Sequence, residues 1–212
     1  MTTEAIEPVD RPPFFAEEPE ALSKLVKLVD PGLEFVSDLH PDASSCRTLL
    51  VTEAGQKYIL KVRQVSRNNW DDTYFHFEID ALRRVDEMHL TGVTHMLRHY
   101  LDDNYEAILK TFAEGTPCNR LDWQSLQFNP EFIAKLDALY MKLHLAGIAK
   151  IHFMPRKVVI GDDGELTLVD LSTCIVEKEY GIHRFAQEML EDSRFINRLE
   201  RRSRRHARAA TA

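Results

Sequence analysis

The chain has 212 residues, of which 44% are hydrophobic and 29% charged, and its formal net charge is −7. That length and apolar share fit one globular domain or two small lobes with a real core. The net acidity argues against a general nucleic-acid binder, and no apolar run approaches the roughly 18 residues that span a bilayer.

Residues 1–16 mix acids and prolines with little periodicity and read as a flexible arm. "MTTEAIEPVDRPPFF" has neither a basic n-region nor an apolar h-region, so no secretory signal is expected. The three cysteines, Cys46, Cys118 and Cys174, are far apart and form no CxxC pair. They read as reduced thiols of a cytoplasmic protein.

"EEPEALSKLVKLVD" carries Leu22, Leu25, Val26 and Val29 at helical spacing, with acids at its front. "PGLEFVSDL" breaks this helix and opens an extended run. "RTLLVT" and "KYILKV" are β-rich and flank "EAGQ", a hairpin turn containing Gly55. "DDTYFHFEIDALRRVDEMHL" places apolar residues at 75, 79, 82 and 85, a helical stripe whose start Asp71 and Asp72 favour. "VTHMLRHYLD", a turn at "DN", and "YEAILKTF" read as a second hairpin, followed by the loop "AEGTPCNRLDW". A long helix runs from Pro130 to a glycine cap at Gly147. "VVIGDDGELTLVD" is a third hairpin. A short helix from about Gly181 to Arg198 and an Arg-rich tail close the chain.

Four spaced features line up along this frame. Lys61 ends "YILKV", Glu78 lies on the next helix, "LHLAGIAKIHFMPRKVVI" follows the long helix, and "LTLVDLSTC" follows the third hairpin. With the hinge-like "ILKTFAEGTP", they resemble the protein-kinase-like fold, and most of all its compact bacterial branch of lipopolysaccharide-core and RIO-type kinases. That branch writes this stretch as "LHxAGIxHGDLxPxN", a hairpin, then "IDF". The resemblance covers roughly residues 35–185. It implies an α+β, bilobal protein-kinase-like fold, with a β-rich N-lobe holding one helix and a reduced helical C-lobe. The expected divisions are an arm at 1–16, an N-lobe at 17–112, a C-lobe at 113–198 and a tail at 199–212.

The resemblance also implies roles. Lys61 would hold the α- and β-phosphates of ATP, and Glu78 would pair with that lysine. Laid ungapped over "KIHFMPRK", the catalytic loop H-R-D-x-x-x-x-N puts Lys150 at the histidine, His152 at the catalytic Asp and Lys157 at the Mg-binding Asn. Asp170 stands at the metal-holding Asp, and Leu171 and Ser172 replace Phe-Gly.

The departures carry as much meaning. Histidine is a side-chain type suited to general-base work near neutrality, so His152 can serve as a general base. An ammonium cannot ligate Mg²⁺, which takes oxygen donors, so Lys157 would replace a metal's charge and touch a phosphate directly. Between the first two strands, "SDLHPDASSCRTLL" offers no glycine to a phosphate. The expected protein is a pseudokinase, a regulatory or binding module with weak or absent binding of ATP and Mg²⁺. Its partner would be a protein or an anionic small molecule, with no specific nucleic acid and no transmembrane segment. The alternative is an active ATP-dependent phosphotransferase on a sugar, lipid-linked or protein hydroxyl, with His152 as base and Asp170 holding Mg²⁺. A third reading is an interaction scaffold without nucleotide. Only about 40 residues follow "VDLSTC", too few for the substrate lobe of a peptide kinase.

Plainer readings stand beside these. Taken singly, Lys61 is a solvated strand residue and Glu78 a helix-surface acid. His95 and His99 lack a third zinc ligand and read as exposed strand histidines. His144 packs at the end of the long helix. In the Arg-rich tail Glu200 interrupts the run, which favours a solvated helix end complementing the dipole. The rival reading is peripheral contact with an anionic membrane or nucleic acid.

Overall fold

The computed structural model describes residues 18–40, 46–65 and 71–210. The arm at 1–16, residues 41–45 of the glycine-free stretch and the last two residues of the tail lie outside them. The fold is α+β and divides into two compact units, one formed by 1–67 with 98–109 and the other by 68–97 with 110–212.

The first unit begins with α1 (Pro19–Val29), which has proline in its first turn and buries Leu22, Leu25 and Val26. The strands β1 (Glu34–Asp38), β2 (Arg47–Glu53), β3 (Gln56–Gln64), β4 (Met96–Leu101) and β5 (Tyr105–Thr111) form one sheet in the order β1-β2-β3-β5-β4. β2 and β3 pair antiparallel with Leu49 opposite Leu60 and Glu53 opposite Gln56. Their turn needs positive φ at both central residues, which Ala54 (50°) and Gly55 (81°) supply. Strand alternation puts Leu49, Val51, Leu60, Val62, Ala107 and Leu109 into one core with the buried face of α1. The turn between β4 and β5 is closed by Asp102, whose Oδ1 accepts from the amides of Asn104 and Tyr105 at 2.6 and 2.7 Å.

The second unit holds α2 (Asp71–Glu87), which the resemblance would assign to an N-lobe at 17–112. Its packing explains the grouping: Phe77 joins Ala149, Ile175 and Phe185 in one buried cluster. The loop after β5 contains β6 (Thr116–Pro117), a 3₁₀ turn at Cys118–Arg120 and α3 (Trp123–Leu126). Gly115 there has φ of 129°, and a Cβ would come within 2.2 Å of the Ile160 carbonyl oxygen, so only glycine fits. α4 (Pro130–Leu145) starts at Asn129, whose side chain accepts from the amides of Glu131 and Phe132. It ends before Gly147, at φ 78°.

β7 (Ile148–Ala149) pairs with β10 (Ile175–Val176), and β8 (Val158–Ile160) pairs with both β6 and β9 (Leu166–Leu168). The short helix α5 (Glu177–Tyr180) leads into α6 (Ile182–Ala210). α6 does not stop near Arg198 but continues through the Arg-rich segment. The cause is tertiary: Ser203 donates to the Phe128 carbonyl at 2.7 Å, and the His206 ring stacks on Phe128 at 4.4 Å. No helix among the described residues is long and apolar enough to cross a membrane.

Candidate functional site

Four charged side chains of the second unit form a short chain through the backbone at Val169 and Asp170. Glu78, on the buried face of α2, is 0% exposed, and Lys110, near the end of β5, is 2% exposed. The Lys110 ammonium donates to Glu78 Oε1 at 2.5 Å and to the Val169 carbonyl at 3.1 Å. The Val169 amide donates to the Lys157 carbonyl at 2.8 Å. Lys157 closes a 3₁₀ turn at Pro155–Lys157 and is 3% exposed. Its Nζ lies 3.4 Å from Asp170 Oδ2 and donates to Thr173 Oγ1 at 3.3 Å. Asp170 Oδ1 accepts from the Ser172 amide at 2.8 Å.

Two buried cations thus flank one short segment, each matched by a carboxylate. Removal of a charge from water is costly unless it is paired, and both lysines meet that condition.

His152 lies one turn of chain before Lys157 and is exposed. The backbone around it is strained: Lys150 and His152 have φ of 62° and 42°, in the left-handed region that non-glycine residues seldom adopt. Between them the amide of buried Ile151 donates to both carboxylate oxygens of Asp192, at 3.1 and 3.2 Å. Asp192, on α6 and 6% exposed, also bonds His144 Nε2 at 3.1 Å. Lys150 Nζ lies 3.9 Å from Glu188. One α6 carboxylate therefore ties the end of α4 to the loop that carries His152.

Lys61 belongs to the first unit, half-buried on β3 opposite Thr48. Lys157 and Asp170 are brought together, and Glu78 is paired with Lys110. His95 lies just before β4 rather than on it and bonds Asp86 through Nδ1 at 2.6 Å, and His99, on β4, bonds Glu106 through Nε2 at 2.9 Å.

Among the described residues no group of three or more His, Cys, Asp or Glu side chains could hold a metal ion. At Asp170 the donor set is one carboxylate with an ammonium beside it. A divalent cation prefers several oxygen ligands, so this arrangement does not fit Mg²⁺.

Neither Lys110 nor Asp192 stands out in the sequence. Lys110 sits in the apolar run "EAILKT", where an unpaired lysine would be costly, and that context is its only signal. Asp192 falls at helical spacing between Phe185, Met189, Ile196 and Leu199, an acid on an otherwise apolar face.

No protein-family model matches the chain, and no curated protein matches it in sequence.

Proposed function

We propose that the protein is a pseudokinase, a regulatory or binding module built on the kinase-like fold with a degraded phosphoryl-transfer site. The two compact units are, on this reading, counterparts of a β-rich and a reduced helical lobe. Several features support it. The sheet order β1-β2-β3-β5-β4 has a helix inserted between β3 and β4. A hairpin, β8-β9, precedes Asp170 by two residues. These are the positions the resemblance assigns to the lysine strand, the glutamate helix and the metal-holding acid.

The observation that carries the reading is the buried Lys157 ammonium beside Asp170. An ammonium there supplies the charge a metal would bring, without Lewis acidity and without an exchangeable ligand position. Phosphoryl transfer relies on metal clamping of the β- and γ-oxygens, which an ammonium paired with Asp170 does not provide. The three free thiols agree with a cytoplasmic setting.

The test is a thermal-shift titration with ATP, with and without Mg²⁺, together with an ATP-turnover assay against a Lys61→Ala, Asp170→Ala control. Ligand binding raises stability by mass action. The expected result is a small, Mg-independent shift or none, and turnover at the control level. A large, strictly Mg-dependent shift with turnover well above control overturns the reading.

One observation favours the alternative of an active phosphotransferase. Strained backbone at non-glycine residues concentrates at functional sites, and His152 is itself one of the strained residues. If His152 is a working base, the rate follows a bell-shaped pH profile that His152→Ala removes.

A further inference from the structure

The C-terminal half of α6 carries an arginine stripe that plays no part in the proposed site. At about 100° per residue, Arg198, Arg201, Arg202, Arg205 and Arg208 fall within an arc of about 120° and run for about 15 Å. All five are exposed. Glu200 does not interrupt them: it lies roughly 140° from the centre of the stripe and is paired with Arg204 at 3.1 Å. The opposite face is buried through Ile196, Leu199 and Ser203.

Such a stripe is not what helix stability asks for. The macrodipole favours cations only within the last turn, which here contains Arg208 alone. The pairs Arg198/Arg202 and Arg201/Arg205 are like charges at i,i+4, which destabilise a helix. An anion along this face would relieve that repulsion.

We infer that this face of α6 binds the phosphate backbone of nucleic acid without regard to base sequence. Three observations select that occupant. Every Lys or Arg from 179 onward is arginine, the side chain whose planar fork pairs with phosphate bidentately. The charges form a narrow row with steps of roughly 4.5–6 Å, which matches a linear polyanion better than a single small anion. A bilayer is the weaker match, because the apolar face of this helix is turned into the protein, leaving nothing to insert. The net charge of −7 opposes any polyanion at long range, so the stripe acts locally, through direct arginine–phosphate contact. Arginine–phosphate contacts position without specifying, so binding through them carries no base preference.

The experiment is fluorescence anisotropy with a labelled 20-base-pair DNA duplex of arbitrary sequence, titrated with the full chain at several salt concentrations. Engagement of about four phosphates gives a log–log salt slope of about −4. Arg201→Gln with Arg205→Gln weakens binding by about tenfold or more and lowers the slope by about two. Arg83→Gln, the loss of one exposed charge on α2, leaves both unchanged. Unchanged melting temperatures establish that the variants are folded. Absence of binding at 50 mM salt overturns the inference, as does binding that the double variant leaves intact. Capture by phosphatidylserine vesicles in preference to the duplex also overturns it and transfers the stripe to a membrane role.

Discussion

The Lys157 ammonium lies 3.4 Å from the Asp170 carboxylate and is almost wholly withdrawn from water, while the Asp170 side chain remains 29% exposed. The pair is therefore asymmetric. Asp170→Asn leaves a buried cation with a neutral amide oxygen and the Thr173 hydroxyl in place of a carboxylate. It should cost about 1–3 kcal/mol. Lys157→Met leaves a carboxylate that can reach water, and should cost less. Chemical denaturation of both single variants and the double variant measures the coupling.

The same geometry makes a functional prediction. Lys157→Asn exchanges an ammonium for an amide oxygen, a ligand type that Mg²⁺ accepts. Combined with His152→Asp, it restores the oxygen donors of the kinase pattern. The double variant should show an Mg-dependent thermal shift with ATP larger than that of the natural chain. Equal shifts in the two proteins would mean that Lys157 is not what blocks the metal.

The Glu78–Lys110 pair is buried on both sides, so its truncation is severe. Glu78→Ala strands a desolvated ammonium and should cost about 3–5 kcal/mol. Replacing both partners with apolar residues, Glu78→Leu with Lys110→Met, should recover part of that loss, because a buried ion pair contributes little over a well-packed apolar pair but the Val169 carbonyl loses its Lys110 donor. Denaturant midpoints at constant m-value test this.

Local chemistry explains which parts of the fold were legible in the sequence. "EAGQ", "DN" and "GDDG" turn because Gly55, Asp102 and Gly164 satisfy backbone demands within a few residues. α4 is bounded by Asn129-Pro130 and Gly147 for the same reason. α6 was legible only in its first half. Its extension depends on Ser203 and His206 meeting Phe128, some 75 positions earlier in the chain. At the site, the spacing of Lys157 and Asp170 was legible, but the burial that fixes the lysine's role was not. Lys110 reaches Glu78 across 32 positions, and no local pattern announces such a pair.

In the first unit, Tyr100 donates to Asp30 Oδ2 at 2.6 Å, and Arg98 bonds the same carboxylate at 2.7 Å. The Tyr100 hydrogen bond, with smaller help from the Gly32 amide and Arg98, holds the Asp30 carboxyl below its ordinary value. A depressed folded-state value means the unfolded chain takes up the proton first. The stabilisation is present above the ordinary carboxylate value of 3.8 and is lost as pH falls below it. Tyr100→Phe removes the largest cause, so the Asp30 titration midpoint should rise toward 3.8. The cost at neutral pH should be about 1–2 kcal/mol. A carboxyl-detected NMR titration of the two proteins reads the midpoint directly, and an unmoved midpoint would assign the shift to the Gly32 amide and Arg98 instead.

The cysteines give the opposite pH sign. Burial pushes the Cys118 thiol from its ordinary 9.0 up to about 11, and it raises Cys174 still further. A raised folded-state value means that the unfolded chain ionises first as pH rises. The contribution is therefore fully present below pH 9 and declines progressively up to about pH 11. Both thiols are fully buried, whereas Cys46 is partly exposed. Because the thiolate is the nucleophile, iodoacetamide at pH 8 should modify Cys46 first and leave Cys118 and Cys174 untouched until the chain unfolds. Cys118→Ala should flatten the fall in stability between pH 9 and 11, at the expense of a small cavity. Mass spectrometry after timed alkylation, and melting curves across that pH range, check the two halves of this expectation. Alkylation of Cys174 in the folded protein at a rate matching Cys46 would show that the segment after Asp170 opens readily.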